Sequence, residues 1–221
     1  MMNRHMLAFV LAILFCSSLV AFPLPAAEAA DLASNANIYM YSKPFKIGDL
    51  ALLNSRGQRV SLKDYRGRVV LVHFWSISCP ACKVEAPLLD WLKKTYGPAG
   101  LEILGVNLVD PPASVVNYAT KTNCCYPVLC TDGKSNGLQT VRMGGKTTSF
   151  LINDAKEAIL EIPGLPTTYI VDCRGDAVAY SVGPATWNHA SAQGLIRKLL
   201  AESKTCRLDG PSPSQNLGSM W

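Results

Sequence analysis

The stretch Val69 to Pro87, VVLVHFWSISCPACKVEAP, constrains the fold more than any other. Val69, Val70, Leu71, Val72, Phe74 and Trp75 form a run of the kind found in a central strand buried on both faces. A turn carrying Cys79-Pro80-Ala81-Cys82 follows, and a helical pattern starts at once. The two cysteines therefore stand where a strand hands over to a helix N-terminus, whose unpaired N–H groups and dipole stabilise a thiolate. A cysteine held there titrates well below its free value of about 8.5, which makes it reactive at neutral pH.

The N-terminus is set apart by composition. Arg4 and His5 precede an apolar run from Met6 to Phe22, interrupted only by Ser17 and Ser18. Pro23 and Pro25 break it, and Ala27-Glu28-Ala29 satisfies the small-x-small rule for cleavage before Ala30. Residues 1–29 thus read as a signal peptide, with an uncleaved membrane anchor as the alternative. Cys16 does not suit a lipoprotein, because bulky Phe15 precedes it. In either case the working part is expected outside the cytoplasm, in the periplasm or an equivalent exported location. About 190 residues remain, enough for one domain with one core.

The formal charge of +5 is modest and its lysines and arginines are scattered, so nothing points to a nucleic-acid partner. Seven cysteines follow the leader: Cys79, Cys82, Cys124, Cys125, Cys130, Cys173 and Cys206. An oxidising compartment permits structural disulfides, and the odd count leaves at least one thiol free, metal-bound or intermolecular. Cys125 and Cys130 flank a short extended segment that would hold them roughly 16 Å apart, too far for a bridge. Cys173 or Cys206 could serve as their partners, and a soft-metal site is the rival reading.

Taken in order, residues 30–46 read as a flexible, irregular lead-in. Two short strands around Ser55-Arg56-Gly57 follow, then the buried strand. A helix over about Ala81 to Tyr96 places Val84, Leu88, Leu89, Leu92 and Tyr96 inward, with Pro87 removing one of its hydrogen bonds. Glu102 to Val109 is a second buried strand, and Pro111-Pro112 opens a helix to about Thr122. Tyr126 to Cys130 is a short strand, and Gly133 to Gly145 a surface excursion. Thr147 to Asn153 reads as a strand, and Asp154 to Ile162 as a helix with Ala155, Ala158, Ile159 and Ile162 on one face. The strand Thr167 to Val171 and the turn Asp172-Cys173-Arg174-Gly175-Asp176 come next, with an antiparallel return over Ala177 to Val182. A last helix capped by Asn188 buries Ala192, Leu195, Ile196, Leu199 and Leu200. Residues 206–221 read as a disordered tail. Lys146 to Asn153 resembles Pro166 to Asp172, a coincidence of strand composition or a local duplication.

Strand, C-x-x-C, helix, strand, helix, then Pro-Thr-Thr before an antiparallel pair and a final helix: this order resembles the thioredoxin fold. Over residues 47–205 the chain is similar to the exported TlpA/ResA/CcmG-type branch of thioredoxin-like thiol–disulfide oxidoreductases. The lead-in GQRVSLKDYRGRVVLVHFW, the block CPACKVEAP, the segment GLPTTYIVD and the helix after Gly183 carry the likeness. The fold class it implies is α/β, a central mixed sheet flanked by helices, with an N-terminal strand extension and an insertion, residues 133–152, before the cis-proline strand. One departure concerns the surface around the nucleophile, where the family usually has Trp before the first cysteine and this chain has Ser78.

Position at the helix start makes Cys79 the expected nucleophile and Cys82 the resolving thiol. Glu85 alone would read as a solvated carboxylate or a partner of Lys83 or Lys93. The resemblance instead implies a desolvated glutamate near the thiols that relays the proton of Cys82. It also implies that Pro166 is the family's cis-proline, leaving the backbone of Leu165, beside Thr167, free to pair with an extended substrate. Trp75 reads first as a core anchor and second as binding surface. His73 reads as a satisfied core histidine, and His189 as solvated.

The expected activity is reduction of disulfides in other exported proteins by a monomer, with a membrane dithiol donor restoring the pair and no cofactor or metal. Apocytochrome c is the substrate class that the resemblance favours. The motif leaves the redox direction open, since C-x-x-C proteins span about 150 mV. An oxidase or isomerase is therefore one rival. A copper-chaperone-like module is another, although its relatives use a wider cysteine spacing and a distal histidine. A thiol peroxidase is the third, but its usual Pro/Thr/Cys arrangement is missing.

Overall fold

The computed structural model describes residues 35–206 apart from 49, 55, 132–137, 144–145 and 153–157. The leader and the tail beyond Cys206 lie outside the described residues, as do parts of the 133–145 excursion and of the expected 154–162 helix. Eleven strands and three α-helices are described. The strands are β1 (Tyr39–Lys46), β2 (Ala51–Asn54), β3 (Arg59–Ser61), β4 (Val69–Trp75), β5 (Leu101–Asn107), β6 (Val128–Cys130), β7 (Leu138–Met143), β8 (Lys146–Ile152), β9 (Ala158–Ile162), β10 (Thr167–Val171) and β11 (Asp176–Val182). The helices are α1 (Pro80–Tyr96), α2 (Pro112–Lys121) and α3 (Ala190–Cys206).

Eight strands form one mixed sheet in the order β1-β11-β10-β4-β5-β6-β2-β3. β4 lies at its centre, parallel to β5 and antiparallel to β10. Every residue of β4 and of β5 is buried, as the unbroken apolar runs require. Alternation splits β4 between two cores. Val69 and Leu71 pack with Leu89 and Leu92 of α1 and with Ile196 and Leu199 of α3. Val70, Val72 and Phe74 point the other way, where Leu151 of β8 and Leu160 and Ile162 of β9 cover them.

That second cover corrects the sequence reading. The expected helix over 154–162 is, in its described part, the strand β9, which pairs with β8 in a three-stranded sheet β7-β8-β9. Leu160 and Ile162 are buried while Ala158 and Glu161 are exposed, a period of two that a five-residue segment barely displays. The Tyr169 hydroxyl donates to the Glu161 carbonyl at 2.5 Å and ties the small sheet to β10. Part of the expected surface excursion is likewise strand β7.

Three further expectations change. Residues 39–46 of the lead-in are the edge strand β1, paired with β11, and Ala36 and Ile38 before it are buried. In α1 the inward stripe is Cys82, Glu85, Leu89 and Leu92, whereas Val84 is 72% exposed. The helix is turned so that an acid, and not that valine, faces the core. At the start of α3, His189 and not Asn188 caps the helix. Its Nδ1 accepts from the Ser191 N–H at 3.3 Å and its carbonyl from the Gln193 N–H at 3.1 Å.

Cys173, just after β10, is bridged to Cys206 at the end of α3. Cys124, Cys125 and Cys130 are free thiols. Burial pushes the first two up to about 11 and about 12, with the Asp90 carboxylate adding to both shifts. The bridge spans 33 residues of sequence. Replacing Cys173 and Cys206 together by serine should lower the unfolding free energy by about 3–4 kcal/mol, the loop-entropy value for that span. Urea midpoints of the oxidised proteins measure this, and equal midpoints would contradict it.

Candidate active site

The end of β4 delivers the chain to a tight turn and then to the first residue of α1. Cys79 is the N-cap of that helix, and its Sγ accepts from the Cys82 N–H at 3.1 Å. Pro80 occupies the first helical position, where the lack of an N–H costs nothing. Cys79 and Cys82 are disulfide-bonded, Cα atoms 5.3 Å apart. Cys79 is half-buried between exposed Ser78 and Pro80, and Cys82 is only 3% exposed. That asymmetry suits an attacking and a resolving sulfur.

Two residues that the sequence did not single out fix the turn. Asn107 ends β5, and its Oδ1 accepts from the Val109 and Asp110 N–H groups at 3.2 and 2.9 Å. Asp110 is thereby aimed back at the turn, where Oδ2 accepts from the Ile77 N–H at 2.7 Å and from Asn107 Nδ2 at 2.9 Å. An Asn-x-x-Asp at a strand end is the only local trace of this clamp, and the spacing is common in loops.

The Leu165–Pro166 peptide bond is cis. The register Thr167↔Phe74 sets Pro166 beside Trp75, and Leu165 packs against the cluster that holds Trp75, Cys79 and Cys82. Among the described residues, neither the N–H nor the carbonyl of Leu165 takes a partner, whereas the Pro166 carbonyl accepts from Gly183 at 2.8 Å. Thr167 is fully buried and its hydroxyl donates to the Gly164 carbonyl at 2.6 Å, so it shapes the loop from inside. Trp75 is 8% exposed and lies 5.4 Å from the ring of Tyr118, so it is chiefly a core anchor.

Glu85 is neither solvated nor paired with a lysine. It is 1% exposed, one helical turn beyond Cys82. Its Oε1 accepts from the indole N–H of fully buried Trp187 and from the Ala185 N–H. Its Oε2 has no hydrogen-bond partner. Lys93, the expected alternative, pairs with Glu102 at 2.6 Å. Burial raises the Glu85 carboxyl to about 7, against the opposing pull of the two donors. His73, 2% exposed, bonds through Nδ1 to Thr168 Oγ1 at 2.9 Å, and burial lowers it to about 3. Among the described residues no group of three Cys, His, Asp or Glu side chains is placed to hold a metal.

A family model described as the AhpC/TSA family matches residues 45–179. The thiol-disulfide oxidoreductase ResA of Geobacillus kaustophilus (strain HTA426) is 33% identical over 119 residues, covering 54% of this chain and 68% of that protein. ResA of Bacillus thuringiensis (strain Al Hakam) is 28% identical over 167 residues, covering 75% and 92%. A thiol:disulfide interchange protein of the thioredoxin family from Chlorobium tepidum TLS superposes with a TM-score of 0.53 at 21% identity, covering 72% of this chain and 99% of that one. That structural likeness shows the thioredoxin-like fold.

The raised Glu85 carboxyl has a thermodynamic signature. Below about pH 4.5 both the folded and unfolded states hold this proton, and nothing is lost. Between there and about 7 only the folded state keeps it, so stability falls as pH rises. Glu85→Gln retains an acceptor for Trp187 and Ala185. It should therefore match the wild type near pH 4 and exceed it by about 2–3 kcal/mol near pH 8. Urea unfolding at the two pH values measures this, and a difference independent of pH would refute it.

Proposed function

The chain belongs to the AhpC/TSA family and is a thiol–disulfide oxidoreductase, and from that premise we propose that it reduces disulfides of other exported proteins through Cys79 and Cys82. The observation that carries this reading is a half-buried Cys79 Sγ at a helix N-terminus, bonded to an enclosed Cys82 beside the unpaired backbone of Leu165. An extended substrate segment pairs with Leu165, framed by Trp75, Pro166 and Thr167, which brings its disulfide to Cys79. The Cys79 thiolate, stabilised by the start of α1, attacks one substrate sulfur and releases the other as a thiolate. Cys82 then attacks Cys79 Sγ, the mixed disulfide breaks, and the substrate leaves as a dithiol. Glu85 takes up the proton that Cys82 must lose, for which a carboxyl near 7 is suited.

Export is supported by the apolar leader and by the Cys173–Cys206 bridge, a kind of bond that persists in oxidising compartments. The reducing direction and the haem-attachment cysteines of apocytochrome c as substrate follow from the resemblance to the TlpA/ResA/CcmG branch. A membrane dithiol donor would return the pair to its reduced form, and the chain would act as a monomer.

Equilibration with glutathione or dithiothreitol buffers should give the Cys79–Cys82 pair a reduction potential below about −200 mV. A value near −120 mV, that of a strong oxidant, would overturn the reducing direction. Cys79→Ala should bring insulin disulfide reduction down to the uncatalysed rate, and retained activity would place the chemistry elsewhere.

A further inference from the structure

Glu85 lies one turn from Cys82, yet its carboxylate is tied away from the thiol. One oxygen is held by Trp187 and Ala185, and the other is unpartnered. His73 Nδ1 lies 4.0 Å from that second oxygen. A movement of about 1 Å closes this gap to hydrogen-bond range. His73 also lines a cavity of about 150 Å³ between α1 and α2, and Cys82 is part of the same wall whereas Glu85 is not. Among the described residues, Nε2 of His73 takes no hydrogen bond from the protein. The histidine thus stands within 4.0 Å of the acid and shares with Cys82 the wall of one cavity.

We propose that His73 carries the proton of Cys82 to Glu85 and so takes a direct part in the second half of disulfide exchange. The inference rests on the dithiol reading above. With the hydrogen on Nδ1, Nε2 offers a lone pair toward the cavity. Cys82 gives its proton to Nε2, directly or through one intervening water, as Nδ1 passes a proton to the Glu85 carboxylate. The resulting Cys82 thiolate attacks Cys79 Sγ, the bond between Cys79 and the substrate sulfur breaks, and that sulfur leaves with the electron pair. Cys79 and Cys82 are oxidised, and the substrate is reduced. His73 ends neutral in its other tautomer, Nε2–H, and resets when the pair is reduced again. Burial keeps the imidazole uncharged at neutral pH, as a carrier that accepts at one nitrogen and releases at the other must be. The other titratable groups that border the cavity are Lys83 and Asp90 on α1, Tyr118 on α2, and Cys124 and Tyr126 beyond it. Thr168 on β10 orients the ring at 2.9 Å.

The reduced protein, mixed with a dithiobis-nitrobenzoate disulfide, releases one coloured thiolate when Cys79 attacks and a second when Cys82 resolves. Stopped-flow absorbance separates the two phases. In His73→Asn the first phase should be unchanged. The second should slow roughly 10-fold or more at neutral pH and recover in alkali, where hydroxide takes the Cys82 proton directly. An unchanged second phase overturns the inference, as does equal slowing at all pH values or a parallel loss in the first phase. A wild type that releases only one coloured thiolate per molecule would instead refute the dithiol reading itself. If His73→Asn and His73→Gln both fail to fold, the solvent isotope effect on the wild-type second phase decides, and its absence counts against the inference.

Discussion

Burial of β4 on both faces is the constraint on which the other elements depend. A strand with no polar face needs cover on each side, and its hydrogen bonds must go to neighbours on each edge. β5 and β10 take the edges, α1 and α3 one face, and the small β7-β8-β9 sheet the other. Once β4 is enclosed in this way its end is a fixed point. The next residues leave the core through the turn at Ser76 to Ser78, and α1 begins at Pro80 with Cys79 as its cap. The Cys79 sulfur is positioned by packing far larger than the turn that bears it.

Within that frame the site is built from groups pushed toward neutrality. Burial raises the Glu85 acid to about 7 and lowers the His73 base to about 3. An ionised pair would gain Coulomb energy, but it would have to be desolvated next to an apolar core, where the penalty is several kcal/mol per ion. One carboxyl oxygen of Glu85 and one ring nitrogen of His73 have no hydrogen-bond partner among the described residues. The uncommitted lone pairs can then follow a proton as it moves. The Asn107–Asp110 clamp works differently. Its carboxylate is committed to two donors, and its effect is to hold the backbone of Ile77 still.

What the sequence made legible was local. The run Val69 to Trp75, the C-x-x-C at a helix start and the Gly-Leu-Pro-Thr-Thr segment each carry their own determinants within a few residues, and each stands where it was expected. What was not legible depended on partners far along the chain. Glu85 meets Trp187 across 102 positions and His73 meets Thr168 across 95, and no periodicity reports such pairs. The α1 stripe differs from its apolar pattern for the same reason, since that pattern chooses Val84 and does not report a buried acid at Glu85. β9 failed on length, because Ala158 to Ile162 fits a helical face almost as well as a strand and only its pairing with β8 decides.

The Cys173–Cys206 bridge has a consequence for a protein that trades in such bonds. The path from Pro166, beside Trp75, through β10 to Cys173 covers about 20 Å at extended spacing, so one short strand lies between the two disulfides. Cys173 is 6% exposed, at the end of the sheet away from Cys79. That distance separates Cys79 from its own Cys173, and Cys206, the other half of the second bridge, is half-buried at the end of α3. The two bridges thus stand at opposite ends of β10, and opening the first leaves α3 still fastened to the sheet by the second.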